Sequence, residues 1–392
     1  MRKNVIAAVV SFSAAVFSAS THAQSSVTLY GLLDVGVDYA SNQRASTGGS
    51  GGRSLSLQSG NVNASRWGLR GSEDLGGGLS AIFTLENGFN IGSGQSSNGN
   101  DEFGQQAFVG LRSARFGQVT LGRQYDSVAT FVAPLSAAGS FGGNLASHPF
   151  DSDNMAGSMR MNNSVMLRSA DFHGFEFGGG YAFSNTASGF RENNAFTFGG
   201  KYAYGGLSLA AAFFQANQPG GSRSGNVSGA ISSSDGNAQF LGQRQRVYAG
   251  GVQYAFSNAQ IGFVASRTSI DAPTAVDSGG SYVAFTGDFM TLYNYELNGK
   301  YALTPALSLG GAVTYTQGHY VRPGTSEHPK WMQGTVQIDY ALSQRTDVYL
   351  EGTYQHVSGA NIAVLDEASI YHFTPSSSNR QAIVAIGMRT RF

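Results

Sequence analysis

Two-residue alternation, sustained over unusually long segments, is the feature that most narrows what this chain can become. From Val27 to Tyr39 the residues Val27, Leu29, Leu33, Val35, Val37 and Tyr39 fall on one face, and Thr28, Tyr30, Asp34, Gly36 and Asp38 on the other. That is period two over 13 residues, whereas strands of soluble sheets usually run to about five or six. Thr346–Val357 and Gln381–Phe392 repeat the pattern. About sixteen such segments follow one another, at approximately 27–39, 62–72, 79–90, 103–113, 117–125, 160–170, 175–183, 195–205, 207–217, 245–256, 259–270, 293–303, 307–317, 329–342, 346–357 and 381–392. Many carry glycine on the face opposite the apolar one. Glycine weakens a packed core but suits a wall beside water.

The connections are asymmetric. Seven are short: 73–78, 113–116, 170–174, 205–206, 257–258, 304–305 and 343–345. Eight are long and rich in Gly, Ser and Asn: 40–61, 90–102, 126–159, 184–194, 218–244, 271–292, 318–328 and 358–380. Short links at one rim and long loops at the other belong to barrels that span an outer membrane. Hydrocarbon satisfies no backbone hydrogen bond, so strands can cross it only in a sheet without edges. Sixteen strands enclose a lumen too wide for side chains to fill, which leaves it wet. Tyr39, Phe89, Tyr125, Phe183, Tyr202, Tyr204, Tyr254, Phe256, Tyr301 and Tyr340 lie near segment ends, where aromatic girdles form.

Composition closes other routes. Charged residues are 12% of the chain, with 24 basic against 24 acidic, and there is no Cys. A nucleic-acid binder would need a cationic surplus, and a disordered chain would lack the 12% of aromatics. Disulfide scaffolds and thiolate metal sites are excluded. Arg2 and Lys3, the apolar run Val5–Phe17 and the small residues flanking His22 are expected to form a secretory signal, residues 1–23, cut after Ala23. The run is too short to span a bilayer as a helix. The mature chain, 24–392, is expected to be a single barrel domain.

Five motifs in order carry a resemblance: VTLYG at 27–31, SRWGLRGSEDLGGG at 65–78, QAFVGL at 106–111, LGRQYD at 121–126 and GMRTRF at 387–392. Together they resemble the general, non-specific trimeric porins of the Gram-negative outer membrane, in their β-proteobacterial form, along essentially the whole mature chain. The resemblance implies an all-β, 16-stranded antiparallel transmembrane barrel with an inward-folded third extracellular loop, here 126–159. It also implies a homotrimer set among outer-membrane lipids and lipopolysaccharide, passing ions and small hydrophilic solutes. Phe392 matches the terminal aromatic read by the outer-membrane insertion machinery. No cofactor and no nucleic-acid partner are implied.

In that family an arginine ladder on the wall faces carboxylates on the loop. Carried over by position, Arg66, Arg70 and Arg160 are expected at the constriction, and strand parity puts Arg66 and Arg70 on the lumen side. Gln105 stands where a base is expected and Ser140 where relatives carry a glutamate, so Asp151 and Asp153 are the remaining acidic candidates. Arg123 shares parity with Val119 and Leu121 and is expected at the trimer contact, with Asp101 or Glu102 of the second long loop as partners. A mild anion preference or near neutrality follows.

No catalytic constellation stands out. His319 and His328 share a loop without clustered Cys or carboxylates, Glu73-Asp74 lies in a tight turn, and the Gly-rich runs lack a phosphate-loop lysine. The alternative to a diffusion pore is a solute-specific channel or surface-binding barrel, which would show aromatics along its lumen.

Overall fold

The computed structural model describes residues 25–45, 50–99, 101–187, 189–220, 229–234 and 238–392. The expected signal, 1–23, lies outside the described residues. The rest forms an all-β, 16-stranded antiparallel barrel. Its strands are β1 (Ser26–Gln43), β2 in two stretches (Gly52–Ser59 and Arg66–Gly76), β3 (Leu79–Gly88), β4 (Gln106–Ser113), β5 (Gly117–Gln124), β6 (Met161–Ser169), β7 (Phe175–Ala182) and β8 (Asn194–Tyr204). They continue with β9 (Leu207–Asn217), β10 (Arg244–Phe256), β11 (Ala259–Asp271), β12 (Phe289–Ala302), β13 (Leu307–Arg322), β14 (Lys330–Ala341), β15 (Thr346–Ser358) and β16 (Arg380–Arg391). Each pairs with its sequence neighbour, and β1 closes the ring on β16 from Leu32↔Arg391 to Ala40↔Ile383. No helix among the described residues is long and apolar enough to cross a membrane. The strands do the crossing.

Alternation decides which face meets lipid. Outward positions such as Val336, Leu297, Val313 and Ile386 are exposed apolar side chains, whereas Asn294, Glu296, Thr316 and Gln355 on the opposite parity are buried. A sheet with water inside and hydrocarbon outside inverts the usual soluble pattern, and its residues sort accordingly. Tyr204, Tyr254, Phe256, Tyr301 and Tyr340 are exposed near the short-turn rim. Tyr125 departs from the girdle expectation: its hydroxyl donates to Gln105 Oε1 at 2.9 Å, on the lumen side of the wall.

The loop expectations needed three corrections. Segment 40–61 is largely a hairpin, because β1 runs to Gln43 and Leu55 and Leu57 alternate outward on the first stretch of β2. β2 then leaves the ladder between Gly60 and Ser65. Asp34 carries the break: its carboxylate accepts the Val62 and Asn63 N–H groups at 3.0 and 2.7 Å, and its carbonyl accepts Gly60 N–H. Without those bonds the bulge would leave backbone donors orphaned. Segment 318–328 is also a hairpin, since Thr325–Glu327 folds back on β13. Within 271–292, Ala275–Asp277 and Tyr282–Ala284 join Phe240–Leu241 in a small separate sheet.

The C-terminus is built in. Phe392 exchanges two backbone hydrogen bonds of 3.0 Å with Gly31. Its ring crosses Gly31 so closely that a Cβ there would fall 2.3 Å from it. A side chain at Gly31 would have to displace this ring and would also crowd the Arg66 carbonyl at 2.9 Å.

Candidate functional site: the opening beside segment 126–160

Segment 126–160 carries short helical turns between β5 and β6. Val128, Phe131, Val132, Leu135, Met155 and Met159 form one buried cluster with Ala182, Ala195, Ala210, Ala212 and Ala216 of β7, β8 and β9. Small alanines on those strands leave room for the larger side chains of the segment. Polar wall residues then fix its backbone. Glu296 accepts Ala137 N–H at 2.8 Å, Asn298 donates to the Leu135 carbonyl at 2.9 Å, and Gln337 donates to that of Phe141 at 2.6 Å. Gln333 reaches Ser147 at 2.9 Å and Gln245 reaches Ser152 at 3.0 Å. Each bond satisfies a carbonyl or N–H that short helical turns leave open.

A buried ionic joint adds to these. His148 Nδ1 lies 2.7 Å from Asp153 and Nε2 lies 3.3 Å from Glu296. Asp153 also accepts from Ser266 and, at 3.0 Å, from Asn294. Burial opposes charge on His148, but the Asp153 carboxylate, with Glu296 behind it, holds it well above the ordinary histidine range. Burial likewise opposes ionisation of Asp153, yet the neighbouring imidazolium keeps its carboxyl below the usual value.

Asp151 behaves differently. Burial, and then the charge of Asp153, push it up to about 7, although Ala156 and Ser158 N–H groups donate to it at 2.9 and 3.1 Å. The folded segment therefore binds a proton that the unfolded chain releases near pH 4. This contribution is fully present below about pH 4 and is lost as pH rises through about 7. Wild type should lose stability relative to Asp151→Asn between pH 4.5 and 7.5, by a few kcal/mol at most. Urea unfolding at both pH values checks this. A difference that stays constant would place the Asp151 proton elsewhere.

Of the expected site residues, three meet. Arg66, Gln105 and Arg160 line one opening of about 460 Å³, together with Tyr125 and, from the segment, Thr130, Ala133, Pro134, Ala138 and Gly139. Arg160 stacks over the Tyr125 ring at 5.1 Å, donates to its hydroxyl at 3.1 Å and also donates to Gln105. Arg66 is 3.4 Å from Glu86, which accepts from Tyr30 at 2.9 Å. Among the described residues lining the opening there is no carboxylate.

The others lie apart. Arg70 is exposed toward the short-turn rim, over the Tyr30 ring at 5.3 Å. Ser140 turns into its own helical turn and donates to the Ser136 carbonyl at 2.6 Å. Asp151 and Asp153 are fully buried in the bonds just described. Arg123 is buried and donates to the Gly104 carbonyl at 2.8 Å and to Asn162 within the chain. The Glu102 carbonyl accepts from Asn87, and Asp101 lies exposed beside it. His148 escaped sequence reading because a non-periodic loop gives no parity, Glu296 because nothing in the sequence pairs its strand with that loop, and Tyr125 because a strand-end aromatic reads as part of a girdle.

A family model described as Gram-negative porin matches residues 7–360. The chain belongs to the Gram-negative porins. An outer membrane porin protein of Bordetella pertussis is 28% identical over the full length of both chains. Outer membrane porin protein 32 of Delftia acidovorans is 35% identical over 56% of this chain and 60% of its own. Among solved structures, an anion-selective porin from Comamonas acidovorans superposes with a TM-score of 0.69 at 22% identity, covering 94% of this chain and 100% of its own. The porin is therefore a multi-pass β-barrel of the Gram-negative outer membrane, a channel and not an enzyme. Family membership sets it among outer-membrane lipids and lipopolysaccharide. Among the described residues no group of three or more His, Cys, Asp or Glu could hold a metal ion.

Proposed function

We propose that this porin is a water-filled channel for passive diffusion of ions and small hydrophilic solutes, folded from 24–392 after removal of 1–23. Segment 126–159 is its inward-folded constriction, and the channel mildly prefers anions. One observation carries the reading: the opening between that segment and the wall is lined by two guanidinium groups, Arg66 and Arg160, with no carboxylate among its described lining. A narrow passage with low-dielectric walls focuses the field of its fixed charges. Charges farther off are screened within about 8 Å at physiological salt. Glu86, outside that lining, offsets part of the Arg66 charge and keeps the preference mild, while Asp151 and Asp153, turned into the packing of the segment, oppose the arginines only weakly.

Liposome swelling tests the diffusion reading. Uptake of neutral sugars should fall smoothly with their size and show no saturation. Saturable uptake of one sugar would favour the solute-specific alternative.

The same reading assigns a homotrimer joined through the outward faces of the early strands and β16. Arg123 then holds Gly104 in place, so that Asp101 and Glu102 meet the neighbouring copy. Native mass measurement in mild detergent should find three copies, and monomers alone would refute the assignment.

A further inference from the structure

A second hollow, of about 210 Å³, shares the lining residues Tyr125 and Thr130 with the opening. Its lining is unusual for a wet wall. Phe108 and Met166, on the lumen parity of β4 and β6, face Phe131 of the segment. Gln118 and Gln124 edge it with amides, and the Arg168 guanidinium lies over the Phe131 ring at 5.7 Å. Apolar surface facing water costs about 25 cal/mol per Å², so a diffusion pore gains nothing by keeping such a slot uncovered. Cavities of about 150 Å³ with apolar walls accept benzene. This one is larger and has a polar edge.

Arg168 is the one charged side chain in its described lining. Arg168 donates to Glu176 at 2.9 and 2.7 Å, and Lys201 reaches the other oxygen of the same carboxylate at 2.8 Å. Two cations share one anion. We propose that this slot is a transient binding site for small aromatic carboxylates, with the ring between Phe108, Phe131 and Met166 and the carboxylate on Arg168. The proposal rests on the reading of the barrel as an anion-passing channel and names a solute class for it. A ring enters past Tyr125, whose face already holds a cation. The carboxylate is drawn through the opening by Arg66 and Arg160 and handed to Arg168.

The test uses the intact protein in planar bilayers carrying a chloride current, with benzoate as probe and acetate as a control of equal charge. Benzoate at millimolar concentration should depress the current and raise its noise, and acetate should not. Phe108→Ser and Arg168→Gln should each raise the half-blocking benzoate concentration about tenfold while the chloride current persists. Saturation-transfer NMR of benzoate on the detergent-solubilised barrel reads the same binding without any current. Loss of conductance with benzoate still bound would therefore strike the diffusion reading, not the slot. Equal effects of benzoate and acetate, or benzoate binding unchanged in whichever variant folds, would overturn the slot.

Discussion

Arginine in place of Val336 should destabilise the barrel by about 2–4 kcal/mol, the cost of a cation facing the bilayer midplane. Val336 sits midway along β14, is 66% exposed on the outward face, and pairs with Gly311 and Gly352. Neither neighbour has a side chain to shelter a guanidinium, and neither rim is near enough for one to snorkel. Thr84→Arg, on the lumen side of β3 opposite Arg70 and Phe108, should cost much less, because its side chain meets water. Gly36 would be a poorer lumen control, since a Cβ there would fall 2.7 Å from the Asn61 amide. Urea-driven unfolding from lipid vesicles measures both variants. Equal destabilisation would reverse the assignment of faces and, with it, every lumen residue named above.

The second large effect concerns selectivity. Removing Arg66 and Arg160 together, as Arg66→Ser with Arg160→Ser, takes both cations from the lining of the opening. Glu86 would then keep only the Tyr30 hydroxyl among the partners seen here, and its charge would no longer be offset. A membrane potential is worth about 2.3 kcal/mol per charge per 100 mV, so a tenfold gradient supports at most about 60 mV. The double variant should move the reversal potential by roughly 10–20 mV toward the cation limit. Conductance should rise as well, because two long side chains leave the passage. An unmoved reversal potential would take these arginines out of the ion path.

The barrel was legible because its signal is local. Lipid outside and water inside impose alternation on every strand, and the segment ends read from sequence mostly lie within a few residues of the observed ones. Where the alternation was short and flanked by Gly and Ser, as at Leu55 and Leu57, the hairpin was hidden. Arg66 could be placed because a wall residue inherits strand parity, whereas Gln105 shares the outward parity of Val109 and Leu111 and rested on the resemblance alone. The segment between Asp126 and Met159 has no such rule. Its course depends on contacts far apart in sequence, such as Ala137 with Glu296 or Phe141 with Gln337. For that reason the sequence left Asp151 and Asp153 as acidic candidates for the constriction, yet both are buried within the packing of the segment. Of the aromatics beside the opening and the second hollow, Phe131 belongs to the segment and has no parity, Tyr125 follows the end of β5, and Phe108 already stood on the lumen parity of β4.

Single-channel recording of the wild-type protein under a tenfold KCl gradient tests the central claim most directly. A wet barrel narrowed beside Arg66 and Arg160 should give ohmic, open-channel conductance with a reversal potential displaced modestly to the anion side. A strongly cation-selective current, or a folded barrel that passes no ions, would contradict the account.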